Sequence, residues 1–305
     1  MATVVISLDA ELAWGFVDFP AIPAHRLENA REMWHHLLSL FDRYEVPATW
    51  AVVGHLFLEE CDGNHGDHPM RSEWFEKDPG RSEVDDGRWY GPSLLEAVST
   101  APVDHEIACH SFSHVDFRDE SIDSEVAAAE LRRCHDLASD WGFDLESFVY
   151  PRNRIAHRDV LAAEGFSCYR DLQPKQWYDG TGMDTLQKAI GGSRFGPTPP
   201  AVRPTRDEYG LVSIPASLFL FCFEGRARAI SDALWTDPVV RMAQRGVDNA
   251  IRNDAIVHFW LHPNNLTDET DIERLDRILS YIDRRRRETD LSVQTMCDIA
   301  ASYAP

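Results

Sequence analysis

Five ionisable side chains stand where three short apolar runs end. Thr3 to Leu8 is followed by Asp9 and Glu11, Glu106 to Cys109 by His110 and His114, and Ala255 to Leu261 by His262. Two imidazoles at i and i+4 would lie on one side of a helical turn, where both can ligate one cation. A carboxylate from another strand end would add a third ligand and leave positions open for water, as a hydrolytic metal requires. The other carboxylate and His262 are of the types that accept and donate protons. Each also has a plain structural role: Asp9 as a strand-end cap, Glu11 as a helix-start acid, His262 as a packed histidine. Only their convergence makes chemistry, so the elements that carry them matter.

Thr3 to Leu8 reads as a buried parallel strand. Leu27, Met33, Trp34, Leu37, Leu38 and Phe41 then recur at helical spacing up to Tyr44, and Ala48 to Val53 reads as a second strand, completing a βαβ unit. The alternation resumes with a strand at 106–109, a helix at 124–141, a strand at 147–150 and a helix at 157–164. It ends with a strand at 211–214, a helix at 238–252, a strand at 255–261, a helix at 269–288 and a short βα element. Two stretches break the pattern, 61–102 and 169–236, and both read as insertions. This implies a single α/β domain over 1–305 with a largely parallel sheet, whose polar site lies at the carboxyl ends of the strands.

The order of these motifs resembles the NodB-type polysaccharide deacetylases of carbohydrate esterase family 4. Val4-Val-Ile-Ser-Leu-Asp9 is similar to the family's first motif, and Ala48-Thr-Trp-Ala-Val-Val-Gly54 to its second strand. His110-Ser-Phe-Ser-His114 matches the H-(S/T)-x-x-H motif and is the most specific match. Phe148-Val-Tyr-Pro-Arg-Asn153 is similar to the third motif, and Leu261-His262 to the last. The chain departs from the pattern twice. Ala10 stands where the family has its second, metal-binding aspartate, and Val149 where it has the motif-three arginine.

The resemblance implies a distorted (β/α) barrel and removal of an N-acetyl group from an amino sugar or glycan precursor. A divalent metal, zinc by expectation, would sit on Glu11, His110 and His114, with Glu11 reaching the position left by Ala10. Asp9 would be the base, held by Arg152 or, in its place, Arg154. His262 would protonate the leaving amine, because an amine cannot leave as an anion and an imidazole titrates near neutrality. A backbone N–H near Tyr150 would meet the developing negative charge, and Asn264 or Asn265 would bind substrate hydroxyls. His258 is expected to lie behind the site. Trp74, Trp89, Tyr90, Trp177 and Tyr178 either stack on sugar or pack the insertions. The alternatives are a metal-independent, allantoinase-like amide hydrolase and a degenerate, non-catalytic sugar-binding domain.

Composition bounds the partners. The 305 residues carry a formal charge of −21, which repels phosphate backbones and anionic lipid. The run Arg284 to Arg287 lies among acids on a helical pattern and reads as a solvated face. Nucleic acid is therefore not expected, and neither is membrane insertion, since no apolar run approaches the roughly 20 residues of a spanning helix. With no leader-like start, the reading is cytoplasmic. Lys77, Lys175 and Lys188 are the only lysines, a bias that resembles salt-adapted archaeal proteins. The six cysteines form no CxxC pair, so they read as mostly buried thiols rather than a zinc ribbon.

Overall fold

The computed structural model describes residues 1–175, 198–221 and 237–303. Its strands are β1 (Thr3–Ala10), β2 (Thr49–Val52), β3 (Glu106–Cys109), β4 (Ser147–Phe148), β5 (Cys168–Asp171), β6 (Thr205–Arg206), β7 (Val212–Pro215), β8 (Leu218–Phe219), β9 (Ile256–Leu261) and β10 (Ser292–Val293). Its helices are α1 (Ala24–Leu27), α2 (Ala30–Tyr44), α3 (Pro92–Ser99), α4 (Ser124–Asp140), α5 (Arg158–Ala163), α6 (Pro238–Asn253), α7 (Glu269–Glu288) and α8 (Met296–Ser302). Side-chain caps fix several helix starts. Asp123 accepts from Glu125 and Val126 at α4, Asp268 from Asp271 at α7, and Thr295 and Asp298 form a capping box at α8.

The sheet runs β6-β7-β5-β4-β3-β2-β1-β9-β8, parallel except for β6 against β7, and β10 pairs with the start of β1. β7 pairs with β5 and β8 pairs with β9, yet only Ala216 and Ser217 separate β7 from β8. One short run of chain therefore meets both ends of the sheet. The sheet must curl to allow this, and the result is the distorted barrel expected.

Strand alternation sorts side chains to two faces of the curl. On β1, Val4, Ile6, Leu8 and Ala10 join the large cluster that packs against the helices, while Val5 joins a second cluster. That second cluster also holds Ala51, Ala108, Val149, Cys168 and Ile256 from five neighbouring strands, together with Met296, Ile299 and Ala300 of α8. These residues fill the barrel at the amino ends of its strands, and α8 plugs it. One step up the same inward faces on β1, β5 and β9 stand Ser7, Arg170 and His258, all buried, and nearer the carboxyl ends come Asp9 and, just past β3 and β9, His110 and His262. The interior thus passes from apolar to polar towards the carboxyl ends, where parallel-strand sites form.

The interval 169–236 differs from its reading as an insertion. It contains the rest of β5 after Cys168, together with β6, β7 and β8, all strands of the main sheet. β6 and β8 are only two residues long, too short to show a strand period, whereas β7 overlaps the strand expected at 211–214. Trp177 and Tyr178 lie outside the described residues. The interval 61–102 contains one 3-10 turn (Ser72–Phe75) and α3 and contributes no strand to the main sheet. Arg286, in the arginine run of α7, donates to the backbone oxygens of Tyr44 and Glu45. Among the described residues, no helix is long and apolar enough to cross a membrane.

Candidate active site

Glu11 follows β1 by one residue and lies two positions from Asp9, so the two carboxylates share the inward face while Ala10 packs outward, fully buried. This alternation explains why a ligand at position 10 has no counterpart in the site. The Glu11 side chain lies over the 3-10 turn Leu12–Phe16, which leaves room only for glycine at its fourth residue. A Cβ on Gly15 would sit 2.1 Å from Glu11 Oε1.

Glu11 Oε2 lies 3.0 Å from His114 Nε2 and 3.6 Å from His110 Nε2. His110 Nδ1 is 2.7 Å from the Val149 carbonyl, to which it donates. That bond leaves the Nε2 lone pair facing the site, where it is buried without a hydrogen-bond partner. The histidine pair is not carried on a helical turn. His110 to His114 is a loop, with Ser111 and His114 both at φ 60°. Leu12, Arg152 and Asn153, which also flank the site, are likewise in the left-handed region. Such strain persists only where surrounding contacts over-determine it. Here Glu130 supplies them: it accepts from Ser113 N at 2.8 Å and from Ser113 Oγ at 2.6 Å. Trp74 Nε1 adds a bond to Ser113 O at 3.0 Å.

Electrostatics favour the protonation states that bind a cation. Burial pushes the Glu11 carboxyl up, but the facing His262, His110 and His114 outweigh it and hold it well below the usual carboxylate range. Burial pushes His114 down against the pull of Glu11. A charged carboxylate and a neutral imidazole are ligating forms. The ligand atoms of Glu11, His110 and His114 all lie within 4.8 Å of one another, so the residues present fit a small divalent ion.

Asp9 is held by Arg170, not by Arg152 or Arg154. Arg170 Nη1 meets Asp9 Oδ1 at 2.5 Å and Nη2 meets Oδ2 at 2.7 Å, a bidentate pair. Burial raises the Asp9 carboxyl, and the guanidinium more than offsets it, so the net shift is down. Arg170 is itself buried on β5, bonded to Asn153 Oδ1 at 3.1 Å and to Ser7 Oγ at 3.2 Å, with Trp260 beneath it. Ser7 Oγ in turn meets His258 Nε2 at 2.9 Å, behind the site as expected. Burial, aided by the Arg170 charge, pushes His258 down to about 3, so it is neutral. Arg152 instead donates to Gly15 O and to Asp18, and stacks over Phe19. Arg154 pairs with Asp116. The third motif therefore contributes Asn153, which braces the arginine, rather than the arginine itself. The missed signal was a cationic residue at an inward position of the apolar run after Gly165, which only a buried carboxylate partner makes tolerable.

His262 Nε2 faces both carboxylates, 3.7 Å from Asp9 Oδ2 and 3.6 Å from Glu11 Oε1. Its Nδ1 lies 2.9 Å from Asn265 Oδ1, which fixes the ring and directs Nε2 to the site. A cavity of about 440 Å³ opens over these groups, lined by Glu11, His262, Asn264, Asn265, Arg26 and Arg152, with Phe16, Phe19 and Phe219 on its walls. Asn264 is thus at the cavity. The Tyr150 ring is not: it is buried edge-on against Phe117, Phe148 and Tyr169, so only its backbone can serve a substrate. Trp89 and Tyr90 are also buried, so the aromatic walls come from residues next to β1 and β9.

A parallel barrel with two histidines and two carboxylates at its carboxyl end agrees with what sequence and structure comparisons find. The family model described as polysaccharide deacetylase matches residues 18–164. The whole fold is similar to a Mycobacterium smegmatis protein described as a candidate polysaccharide deacetylase, with a TM-score of 0.64 and 15% identity, covering 98% of this chain and 89% of that one. The family match spans a little under half of the chain, and the fold agrees with it over nearly the whole length. The same fold occurs in part of a 4-alpha-glucanotransferase from Thermococcus litoralis, with a TM-score of 0.55 and 12% identity, covering 100% of this chain and 39% of that one. No curated protein matches. The glucanotransferase is a reminder that the barrel alone does not choose a substrate.

Proposed function

We propose that this chain is a divalent-metal-dependent hydrolase that removes an N-acetyl group from an amino sugar or glycan precursor. The observation that carries the reading is the convergence of Glu11, His110 and His114 on one point, with Asp9 and His262 facing it from β1 and β9. Those three residues would hold the cation, zinc by their donor set, which when bound polarises the amide carbonyl and acidifies the attacking water.

The chain's own residues do the rest. Asp9, fixed by Arg170 through both oxygens, takes the proton of the attacking water on Oδ2, the oxygen nearer His262. His262 carries a proton on Nε2 to the departing nitrogen, while Asn265 keeps the ring aimed by its bond to Nδ1. The backbone N–H at Tyr150 is the donor assigned to the negative charge that develops on the carbonyl oxygen. Asn264 and the phenylalanine walls offer a polar contact and apolar faces to a sugar ring.

The test is acetate release from N-acetylated amino-sugar monomers and oligomers by metal-loaded protein, with Asp9→Asn and His262→Ala as controls. Release by the loaded protein, lost on chelation and in both variants, is expected. Equal amide hydrolysis after complete chelation would replace the metal-dependent reading with a metal-independent one.

A further inference from the structure

Just beyond the end of β2, the excursion 61–102 gathers a second set of ligating side chains around His55. Cys61, His65 and Asp78 bring one donor atom each to His55, and these atoms lie within 4.8 Å of one another. We propose that His55, Cys61, His65 and Asp78 form a second, closed transition-metal site of the zinc type, which fixes the excursion against the loop that carries His110 and His114. It uses none of the residues of the hydrolytic reading and does not rest on it.

Bond lengths of about 2.3 Å to sulfur and about 2.0–2.1 Å to nitrogen or oxygen put tetrahedral neighbours about 3.6 Å apart for sulfur with nitrogen and about 3.4 Å apart for nitrogen with oxygen. Cys61 Sγ lies 3.6 Å from His65 Nε2, and His55 Nε2 lies 3.4 Å from Asp78 Oδ2. The remaining close edge, His65 Nε2 to Asp78 Oδ2, is shorter at 2.7 Å. Two edges thus already have tetrahedral spacing, and the third has to open by about 0.7 Å.

Three of the four ligands are also oriented from behind, as ligands are in metal sites. His55 Nδ1 is 3.2 Å from the Phe112 carbonyl, so its proton is used there and the Nε2 lone pair faces Asp78. That nitrogen is fully buried with no hydrogen-bond partner. A lone pair set against a carboxylate in a buried space calls for a cation between them. Asp78 Oδ1 accepts from Tyr90 Oη at 2.9 Å and Gly80 N at 3.1 Å, which leaves Oδ2 for the cluster. Cys61 Sγ accepts from Gly63 N at 3.3 Å, but burial outweighs that bond and pushes the thiol up to about 12, so the sulfur keeps its proton until a cation displaces it. Binding replaces the S–H bond with a sulfur–metal bond and releases the proton to solvent.

Four protein ligands leave no open position, the mark of a structural rather than a catalytic centre. The position fits that role. His55 stacks on Trp14 at 3.9 Å, in the turn that follows Glu11, and on Phe112 at 4.2 Å, between the two histidines of the first site. A cation here would add a lock to a long segment poor in secondary structure and brace both halves of the first site.

Cobalt distinguishes the two sites, because only the second has a sulfur ligand. Metal-free protein is titrated with Co²⁺ and followed by near-ultraviolet absorption. The wild type is expected to bind two equivalents, one of which gives a thiolate-to-cobalt charge-transfer band. Glu11→Ala should retain the band while stoichiometry falls from two to one, and Cys61→Ser should lose it. Persistence of the band in Cys61→Ser, or its absence from the wild type, overturns the proposal. X-ray absorption of zinc-loaded Glu11→Ala needs no change at the second site, so it decides even where Cys61→Ser fails to fold. One sulfur and three nitrogen or oxygen neighbours support the site, and a shell without sulfur or no bound zinc refutes it.

Discussion

The two ligand clusters are built in opposite ways. The first collects Glu11, His110 and His114 from the ends of strands that are far apart in sequence, on a frame that the barrel core holds without help. The second collects His55, Cys61, His65 and Asp78 from fewer than thirty consecutive positions, in a segment with almost no regular structure. A site on strand ends inherits its geometry from the fold and can leave ligand positions open for substrate. A site in an irregular segment has to create its own geometry and does so by closing every position. Changes at the first should remove turnover and spare the fold, while changes at the second should loosen the fold and affect turnover only through it.

The sharpest test lies at the first cluster. Asp9→Asn and His262→Ala are each expected to lower acetate release by about 10²- to 10⁴-fold, as loss of a general base or acid does. Circular dichroism and the melting temperature of His262→Ala should stay near wild type, whereas Asp9→Asn should also lose stability because it leaves the buried Arg170 guanidinium without its carboxylate. A variant that loses turnover only because it unfolds would break the contrast between the clusters.

Arg170→Met comes next, because it leaves the buried Asp9 carboxylate without its bidentate partner. We expect a stability loss of about 3–5 kcal/mol by urea denaturation, the usual cost of breaking a buried pair from one side. Arg152→Met should cost within about 1 kcal/mol, since its partner Asp18 is partly exposed. Equal losses from the two arginines would mean that the Asp9 clamp has been assigned to the wrong residue.

Glu130, which supports the histidine loop, should give stability a pH dependence. Burial outweighs its bonds to Ser113 and raises it from 4.5 to about 7. Between these values the folded protein holds a proton that the unfolded chain has lost, so unfolding releases it and stability falls as pH rises. The accumulated change is on the order of 3 kcal/mol. Glu130→Gln should flatten that slope relative to wild type in denaturation curves taken from pH 4.5 to pH 7.

Gly15→Ala is expected to have a smaller effect, about 1–3 kcal/mol, as a Cβ forces the Glu11 side chain aside. Cobalt titration should then show weakened first-site binding with the sulfur band unchanged. Loss of the band in this variant would show that the clusters are coupled through Trp14 more tightly than their separate ligands imply.

Much of the barrel was legible from periodicity, because its long helices and apolar strands repeat strongly. β1, β3 and β9 with their terminal Asp9, His110 and His262 fall where apolar runs end, and α2, α4, α6 and α7 fall where helical spacing recurs. β5, β6 and β8 were not legible, being short and lying in a stretch of weak alternation, while β7 overlaps the strand read at 211–214. Arg170 was hidden for that reason, and Arg152 drew attention only by standing beside Pro151.

By itself the sequence determined the residue types at the strand ends, their order along the chain and, through the two-residue period of a strand, that Asp9 and Glu11 share a face. Those are local properties of a polymer with fixed periodicities. Tertiary structure alone decided that the chain from β7 into β8 curls the sheet, that Arg170 rather than Arg152 clamps Asp9, that His110 to His114 is a strained loop and that four scattered residues of an excursion meet around one point. Each of these depends on where distant segments pack, and a buried charge or lone pair reveals its partner only when the space around it is known.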